Sequence, residues 1–194
     1  SMITGSDLLE ALEYYQREGY VYVPDAPWYV GDDAYNATRP AGSTELSIRT
    51  PTEKLGNLVA SGEQSFIQMM LDGQPLKRAI CVTPCFRWEK KLDSLRHMDF
   101  MKAELINAQD VDKGHLVHMI SEACHFFKQY LTVRVIETGE WSYDIVEKDT
   151  RIELGSYGIR RMFIGDQELA WIYGTACAEP RLSTVTARRN PVTR

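Results

Sequence analysis

The chain has 194 residues, of which 44% are hydrophobic, and this is enough to build the core of one globular domain. Its formal charge of -5 argues against a broad basic surface for non-specific nucleic-acid binding, so an anionic ligand has to be met by individually placed Arg and Lys side chains. No apolar run approaches the length of a membrane span, the N-terminus lacks a signal-peptide pattern, and the four cysteines suit a reduced compartment, so we expect a cytoplasmic protein without membrane association.

The first half of the chain alternates between helical and strand-like patterns. Leu8, Leu12 and Tyr15 fall at helical spacing, which predicts an amphipathic helix over residues 6–18. "YVYVPDAPWYV" is β-prone but contains two prolines, which is typical of an edge or interface strand. The polar, Gly-rich stretch 31–42 predicts a loop. Further along, the patterns predict a strand at "ELSIRT", one or two helices broken near Gly62, and a strand at "LKRAICVTPCFR".

The second half is richer in strands. A hairpin is predicted over residues 85–104, and Asp112 is suited to cap a helix that continues to about Tyr130. Strands are predicted at "TVRVIE", "EWSYDIV", "RIELG", "RRMFIG" and "ELAWIYGTA", and Pro180 suits the first turn of a final helix. Short turns between many strands favour an α+β fold, a mostly antiparallel sheet flanked by helices, in a single domain over 1–194.

The hairpin "CFRWEKKLDSLRHMDFMKAE" has residue types suited to a nucleotide. Arg87 and Arg96 lie on opposite arms, and a guanidinium can contact two phosphate oxygens at once. Phe100 offers a flat face for a base, and Glu89 can accept a hydrogen bond from an exocyclic amine. A solvated β-ribbon would also show alternating charges, so spacing alone leaves both interpretations open.

Five segments in order resemble the class II aminoacyl-tRNA synthetases, and the seryl-type enzymes in particular. "TPCFRWE" with "RHMDFMKAE" resembles motif 2, "ALEYYQREGYVYVPDAPWYV" is similar to motif 1, and "YGTACAEPRLSTV" is similar to motif 3. "LSIRTPTEKL" resembles the loop in which a Thr-x-Glu element holds the amino acid's ammonium, or the R-T-x-T stretch of the phenylalanyl type. "IELGSYGIRRM" resembles a strand with a metal-binding acid. The resemblance covers most of the chain and implies the class II catalytic fold.

The resemblance also implies roles for individual residues. Arg87 and Arg181 would be the catalytic residues, stabilising charge as the substrate carboxylate attacks the α-phosphate. ATP would be bound by Arg87, Glu89, Arg96, His97, Phe100, Glu153 and Arg181. The amino acid would be bound by Thr50, Thr52, Glu53, Glu104, Ser156, Gly174 and Thr175. Mg²⁺ would be held by Glu153 and Ser156, since oxygen ligands suit that ion.

Zinc is not expected. Some seryl-like enzymes and amino acid:carrier-protein ligases hold zinc with Cys, Glu and Cys, and Glu104 matches the position of the Glu. No Cys lies in residues 50–60 to supply the first ligand, however, and Cys177 lies closer to Arg181 than that pattern allows. Cys81 and Cys85 alternate onto one strand face, which favours buried packing.

The resemblance therefore implies ATP-dependent activation of an amino acid as an aminoacyl-adenylate. The motifs leave no segment for an anticodon-binding domain, and the connection "KKLDSL" is much shorter than the loop that meets tRNA in seryl-type enzymes. We expect transfer to a carrier protein or a small molecule rather than to tRNA. The alternative is a non-catalytic paralogue acting as a binding or regulatory subunit, and amide synthesis of the asparagine-synthetase A kind is a third interpretation. In "TPTE", Thr52 is adjacent to Glu53 and Thr50 lies one place too far from it, so neither gives the Thr-x-Glu spacing. The sequence therefore does not predict which amino acid is bound.

Motif 1 resemblance also implies a two-fold homodimer built from residues 6–30. Such isologous interfaces bury apolar surface, and the stretch "PWYV" supplies it.

Overall fold

The computed structural model describes residues 5–39, 47–48 and 55–189. The helices are α1 (Ser6–Arg17), α2 (Asp32–Ala37), α3 (Gly62–Leu71), α4 (Lys113–Phe127) and α5 (Arg181–Arg189). The strands are β1 (Val21–Tyr22), β2 (Tyr29–Val30), β3 (Asn57–Leu58), β4 (Arg78–Phe86), β5 (Asp99–Asn107), β6 (Val133–Gly139), β7 (Ser142–Glu147), β8 (Glu153–Ile164) and β9 (Gln167–Glu179).

Seven strands form one sheet in the order β1-β4-β5-β9-β8-β7-β6, and β2 pairs with β3 separately. Within the seven-stranded sheet β1 and β4 are parallel, and the other neighbouring strands are antiparallel. The predicted α+β class, a mostly antiparallel sheet flanked by helices, is confirmed.

The two faces of the sheet have different coverings. On one face α1 and α4 pack against the sheet, and Tyr15, Phe126 and Tyr157 are fully buried there. On the other face α3 packs over one part of the sheet, where Phe66 contacts the cluster that includes Trp171. Because α3 covers only part of this second face, the remaining strands β4, β5, β8 and β9 form the floor of a cleft.

Most of the predicted elements are present, and three predictions were wrong. The stretch 31–42, predicted as a loop, contains α2. Gly62 begins α3 instead of interrupting a helix, and residues 57–58 before it form β3. "RIELG" and "RRMFIG" belong to the single strand β8. The strand predicted at "ELSIRT" lies almost wholly outside the described residues, and residues 47–48 are not in a strand.

Two local predictions are confirmed by hydrogen bonds. The hairpin pairs β4 with β5 from Arg78 opposite Asn107 to Phe86 opposite Asp99. Asp112 caps α4, since its Oδ1 accepts a hydrogen bond from the backbone N of His115 at 2.8 Å. Within the described part of the chain, no helix has the length and apolar character to cross a membrane.

Candidate functional site

A cleft of about 450 Å³ lies on the face of the sheet that α3 leaves open. Side chains on a strand alternate between faces, so Phe100, Lys102 and Glu104 of β5 share one face. All three line the cleft, together with Thr175 of β9 and Ser156 of β8. The antiparallel pairing of these strands brings residues from distant parts of the sequence together on the floor of the cleft.

At one end of the cleft Arg87 contacts Phe100. The guanidinium carbon of Arg87 lies 5.0 Å from the centre of the Phe100 ring, a cation–π contact, and its Nε donates to the carbonyl of Ala60 at 3.0 Å. The backbone N of Arg87 donates to Met98 O at 2.8 Å, which continues the β4–β5 pairing one residue past Phe86. The Arg87 side chain is thus fixed by contacts to two segments while remaining exposed to the cleft.

A compact turn places the other arm of the hairpin at the same end. Asp93 Oδ1 accepts hydrogen bonds from the backbone N of Leu95 and of Arg96, both at 2.8 Å. These two bonds lower the pKa of the Asp93 carboxyl, because they favour its charged form. The turn brings Arg96 and His97 to the rim of the cleft, and Glu89 lies beside them among the lining residues.

Arg181 reaches the same end from the start of α5. Its Nη1 donates to Glu153 O at 3.2 Å, and its Nη2 donates to Leu95 O at 3.1 Å. The guanidinium therefore joins the first residue of β8 to the turn of the hairpin. The structure brings Arg87, Arg96 and Arg181 together around one cleft with Phe100.

Glu153 and Ser156, predicted as metal ligands, are in contact. Ser156 Oγ lies 2.7 Å from Glu153 Oε1 and 2.7 Å from Asp144 Oδ1. A hydroxyl has a single proton to donate, so it satisfies only one of these carboxylates. Burial raises the pKa of Asp144, and the nearby Glu153 charge adds to this. Within the described ranges, no group of three or more His, Cys, Asp or Glu side chains is placed to hold a metal ion.

The floor of the cleft continues to Lys102 and Glu104. Lys102 Nζ lies 2.9 Å from Glu104 Oε2, and the Glu104 side chain is only 2% exposed. Burial raises the pKa of Glu104 to about 7, and the neighbouring Glu63 charge adds to this, while Lys102 opposes it. Thr175 is the partner of Glu104 across β5 and β9, and its Oγ1 accepts from Ser156 N at 3.3 Å.

A connected group of residues that was absent from the predicted site surrounds Glu63. Glu63 begins α3 with Gly62, and its Oε1 accepts from Arg160 Nε at 2.7 Å and from Trp171 Nε1 at 2.8 Å. Arg160 lies with its guanidinium carbon 4.2 Å from the centre of the Tyr173 ring. Alternation along β8 from Ser156 places Arg160 on the cleft face, so this signal was available in the sequence. Glu63 carried no comparable signal.

The remaining predicted residues do not join this group. Thr50, Thr52 and Glu53 lie outside the described residues. Gly174 does not line the cleft, because a Cβ at this position would point at Met119 Sδ of α4, 2.5 Å away. Cys81 and Cys85 are buried, as expected for packing, and burial raises the pKa of both thiols.

Comparisons with known proteins connect this architecture to synthetases. No protein-family model matches the chain, and no curated protein is similar to it in sequence. The seryl-tRNA synthetase from Pyrococcus horikoshii complexed with ATP is similar in structure, with a TM-score of 0.70, 18% identity, and coverage of 93% of this chain and 49% of that one. The cytoplasmic serine-tRNA ligase from Naegleria fowleri in complex with AMP has a TM-score of 0.66, 16% identity, and coverage of 94% and 47%.

A pyrrolysyl-tRNA synthetase, PylSc from Desulfitobacterium hafniense, has a TM-score of 0.64, 14% identity, and coverage of 92% of this chain and 68% of that one. The chain spans about half the length of the two serine enzymes. These likenesses show that the chain has the fold of class II aminoacyl-tRNA synthetase catalytic cores.

Proposed function

We propose, from this class II synthetase-like fold and its cleft, that the chain uses ATP to activate an amino acid as an aminoacyl-adenylate. The observation that carries the proposal is the convergence of Arg87, Arg96 and Arg181 with Phe100 at one end of the cleft. Three guanidiniums supply charge for a triphosphate, and an aromatic ring supplies a stacking face for a base. The ATP and AMP bound by the two serine enzymes support the same assignment.

In the proposed reaction an oxygen of the substrate carboxylate attacks the α-phosphorus of ATP, and pyrophosphate leaves. Arg87 holds the α-phosphate and the carboxylate, and its charge stabilises the transition state. Arg96, with His97, holds the γ-phosphate, and Arg181 covers the phosphates and the face of the adenine opposite Phe100. Glu89 accepts from the adenine amine, and Phe100 stacks on the ring. The step requires no nucleophilic side chain.

The amino acid lies further along the floor in this proposal. Glu104 accepts from the substrate ammonium, beside the hydroxyls of Ser156 and Thr175, and the predicted contributions of Thr50, Thr52 and Glu53 belong to the same subsite. A substrate ammonium next to Glu104 favours its ionised form, which opposes the effect of burial on its pKa.

We propose that Mg²⁺ binds beside Ser156. Glu153 and Ser156 would hold the ion, and Asp144 adds an acid that the sequence did not indicate. The two carboxylates share one hydroxyl proton, and a cation among these oxygens would balance their charge. When bound, the ion neutralises charge on the phosphates.

Amino-acid-dependent exchange between ATP and pyrophosphate tests the proposal. We expect exchange with at least one amino acid, and its loss in Arg87→Ala and Phe100→Ala. Arg134→Ala is the matched control, since Arg134 is an exposed residue of the edge strand β6. Absence of exchange with every amino acid, under conditions in which the protein is folded, would refute the proposed activity.

The proposed acceptor is a carrier protein or a small molecule instead of tRNA. The connection between the hairpin arms is closed by the Asp93 turn, so little chain extends beyond the cleft to grip an RNA end. Incubation with ATP, the activated amino acid and each acceptor class tests this assignment. Aminoacylation of unfractionated tRNA at rates comparable to adenylate formation would overturn it.

A non-catalytic binding or regulatory subunit is the second candidate. It is favoured by the contacts of Arg181, whose two terminal nitrogens already donate to backbone carbonyls. Calorimetric titration with ATP separates the candidates. The enzyme should bind ATP and lose binding in Arg87→Ala, whereas a non-catalytic subunit should bind ATP weakly or not at all in both forms.

We also propose a cytoplasmic homodimer assembled through residues 6–30. Val21, Trp28 and Tyr29 are exposed by 66%, 54% and 43%, which is a large apolar surface for this short segment. Light scattering should give twice the chain mass for the wild-type protein and one chain mass for Trp28→Asp. A wild-type monomer at high concentration would contradict the dimer.

A further inference from the structure

Arg160 occupies a constrained position on the floor of the cleft. Its Nε donates to Glu63 Oε1 at 2.7 Å, its Nη2 lies 3.4 Å from Glu63 Oε2, and its guanidinium stacks on Tyr173. Glu63 Oε1 also accepts from Trp171. The carboxylate is therefore satisfied from two sides, and the plane of the guanidinium is set by Tyr173.

Gly158 makes this arrangement possible. A Cβ at this position would clash with the Tyr173 hydroxyl oxygen and would lie 2.7 Å from two carbons of the ring. The ring of Tyr173 thus lies close against the backbone of β8, and Arg160 lies over the ring.

The guanidinium still faces the cleft. The Arg160 side chain is 30% exposed and lines the cavity, and Nη1 has no hydrogen-bond partner among the described residues. A buried ion pair contributes little net stability compared with apolar side chains of similar volume, because both charges lose their hydration. The pair with Glu63 is therefore better explained by its effect on Arg160, whose remaining N–H groups it orients towards a ligand in the cleft.

The position of Arg160 and its donors indicate the kind of ligand. Arg160 lies close to the residues proposed for the amino acid, because its partner Glu63 follows Gly62, where a Cβ would lie 3.0 Å from Glu104 Cβ. The substrate's own α-carboxylate is assigned to Arg87, whose charge also acts on Glu104. A guanidinium can donate to both oxygens of a carboxylate at once, so a carboxylate on the substrate side chain is the group best suited to Arg160.

We propose that the activated amino acid carries a carboxylate side chain, as aspartate and glutamate do, and that Arg160 binds this carboxylate through its cleft-facing donors. The proposal rests on the proposed amino-acid activation and adds the substrate class. Glu63, Trp171 and Tyr173 act as positioning residues, since they hold the guanidinium of Arg160.

The test compares acidic amino acids with their amides in ATP–pyrophosphate exchange. We expect aspartate or glutamate to have a kcat/KM at least tenfold above that of asparagine or glutamine, and above that of serine. Arg160→Gln should raise KM for the acidic amino acid at least tenfold, with the KM for ATP unchanged, and Arg160→Lys should restore part of the loss. Arg161→Gln is the matched control, because Arg161 does not line the cleft and should leave both parameters unchanged.

A second variant distinguishes loss of substrate binding from misfolding of the Arg160→Gln protein. Arg160→Gln leaves the buried Glu63 carboxylate without its counter-charge, whereas Glu63→Gln/Arg160→Gln replaces the ion pair with a neutral pair. The double variant should show the same loss of preference for acidic substrates. A preference for a neutral amino acid, or an acidic preference that survives in the folded double variant, would overturn the proposal.

Measuring amino-acid binding directly distinguishes a wrong substrate class from a protein that binds its substrate without activating it. Calorimetric titration with aspartate and glutamate, in the presence of a non-hydrolysable ATP analogue, should show binding that depends on Arg160. Such binding without exchange would support the acidic subsite and refute catalysis. Exchange with a neutral amino acid alone would support catalysis and refute the acidic subsite, and a lack of binding by either acid would also refute it.

Discussion

Glu104→Gln should remove a pH dependence from the stability of the fold. The Glu104 carboxyl is buried, and its pKa is raised from the usual 4.5 to about 7. The folded state therefore holds this proton more tightly than the unfolded state, and stability falls as the pH rises from about 4.5 to about 7. At about 1.4 kcal/mol per pH unit, this difference corresponds to about 3 kcal/mol lost above pH 7.

Urea unfolding of both proteins between pH 4 and pH 8 measures this effect. Between pH 4 and pH 8, the free energy of unfolding of the wild-type protein should fall by about 3 kcal/mol more than that of Glu104→Gln. A difference in stability between the two proteins that is already present at pH 4 does not affect this comparison. Glu13→Gln, an exposed change on α1, controls for loss of one negative charge. Parallel curves for wild type and Glu104→Gln would refute the reasoning from burial.

Three further changes test individual contacts. Asp112→Ala should lower the free energy of unfolding by about 1 kcal/mol, because the cap on α4 is lost, and an unchanged urea midpoint would count against that cap. Gly158→Ala should displace Tyr173 and cost about 1–3 kcal/mol of stability, as overpacking does, and wild-type stability would show that the ring moves freely. Asp93→Ala should loosen the turn before Arg96 and raise the Kd for ATP severalfold in calorimetry, and an unchanged Kd would separate the turn from nucleotide binding.

Much of the fold was predictable because its periodic patterns are long. The β4–β5 hairpin and the Asp112 cap combine local signals with an apolar face, and both are present. The helix α2 was missed, since its six residues lie in a Gly-rich stretch with weak helical periodicity. β8 was predicted as two strands because the stretch between the two predicted segments contains Gly158. This glycine leaves room for the Tyr173 ring of the neighbouring strand β9, a contact that the local sequence does not reveal.

The site was predictable where one segment carries several of its residues. Arg87, Phe100 and Glu104 belong to a single hairpin, so strand alternation and spacing place them together. Glu63 and Asp144 join the site through tertiary packing, with the N-terminus of α3 resting on β4 and β5. A Cβ at the first residue of α3 would lie 2.9 Å from a cysteine Sγ of β4, so the closeness of α3 to the sheet depends on this glycine, and no local pattern reveals that contact.

A crystal structure of the protein with ATP and Mg²⁺ would show where the nucleotide binds. We expect adenine stacked on Phe100 with its amine at Glu89, and phosphate oxygens within hydrogen-bond distance of Arg87, Arg96 and Arg181. ATP bound elsewhere, or a cleft that stays closed to nucleotide at saturating concentration with Arg181 still bonded to its two backbone carbonyls, would contradict this placement of ATP.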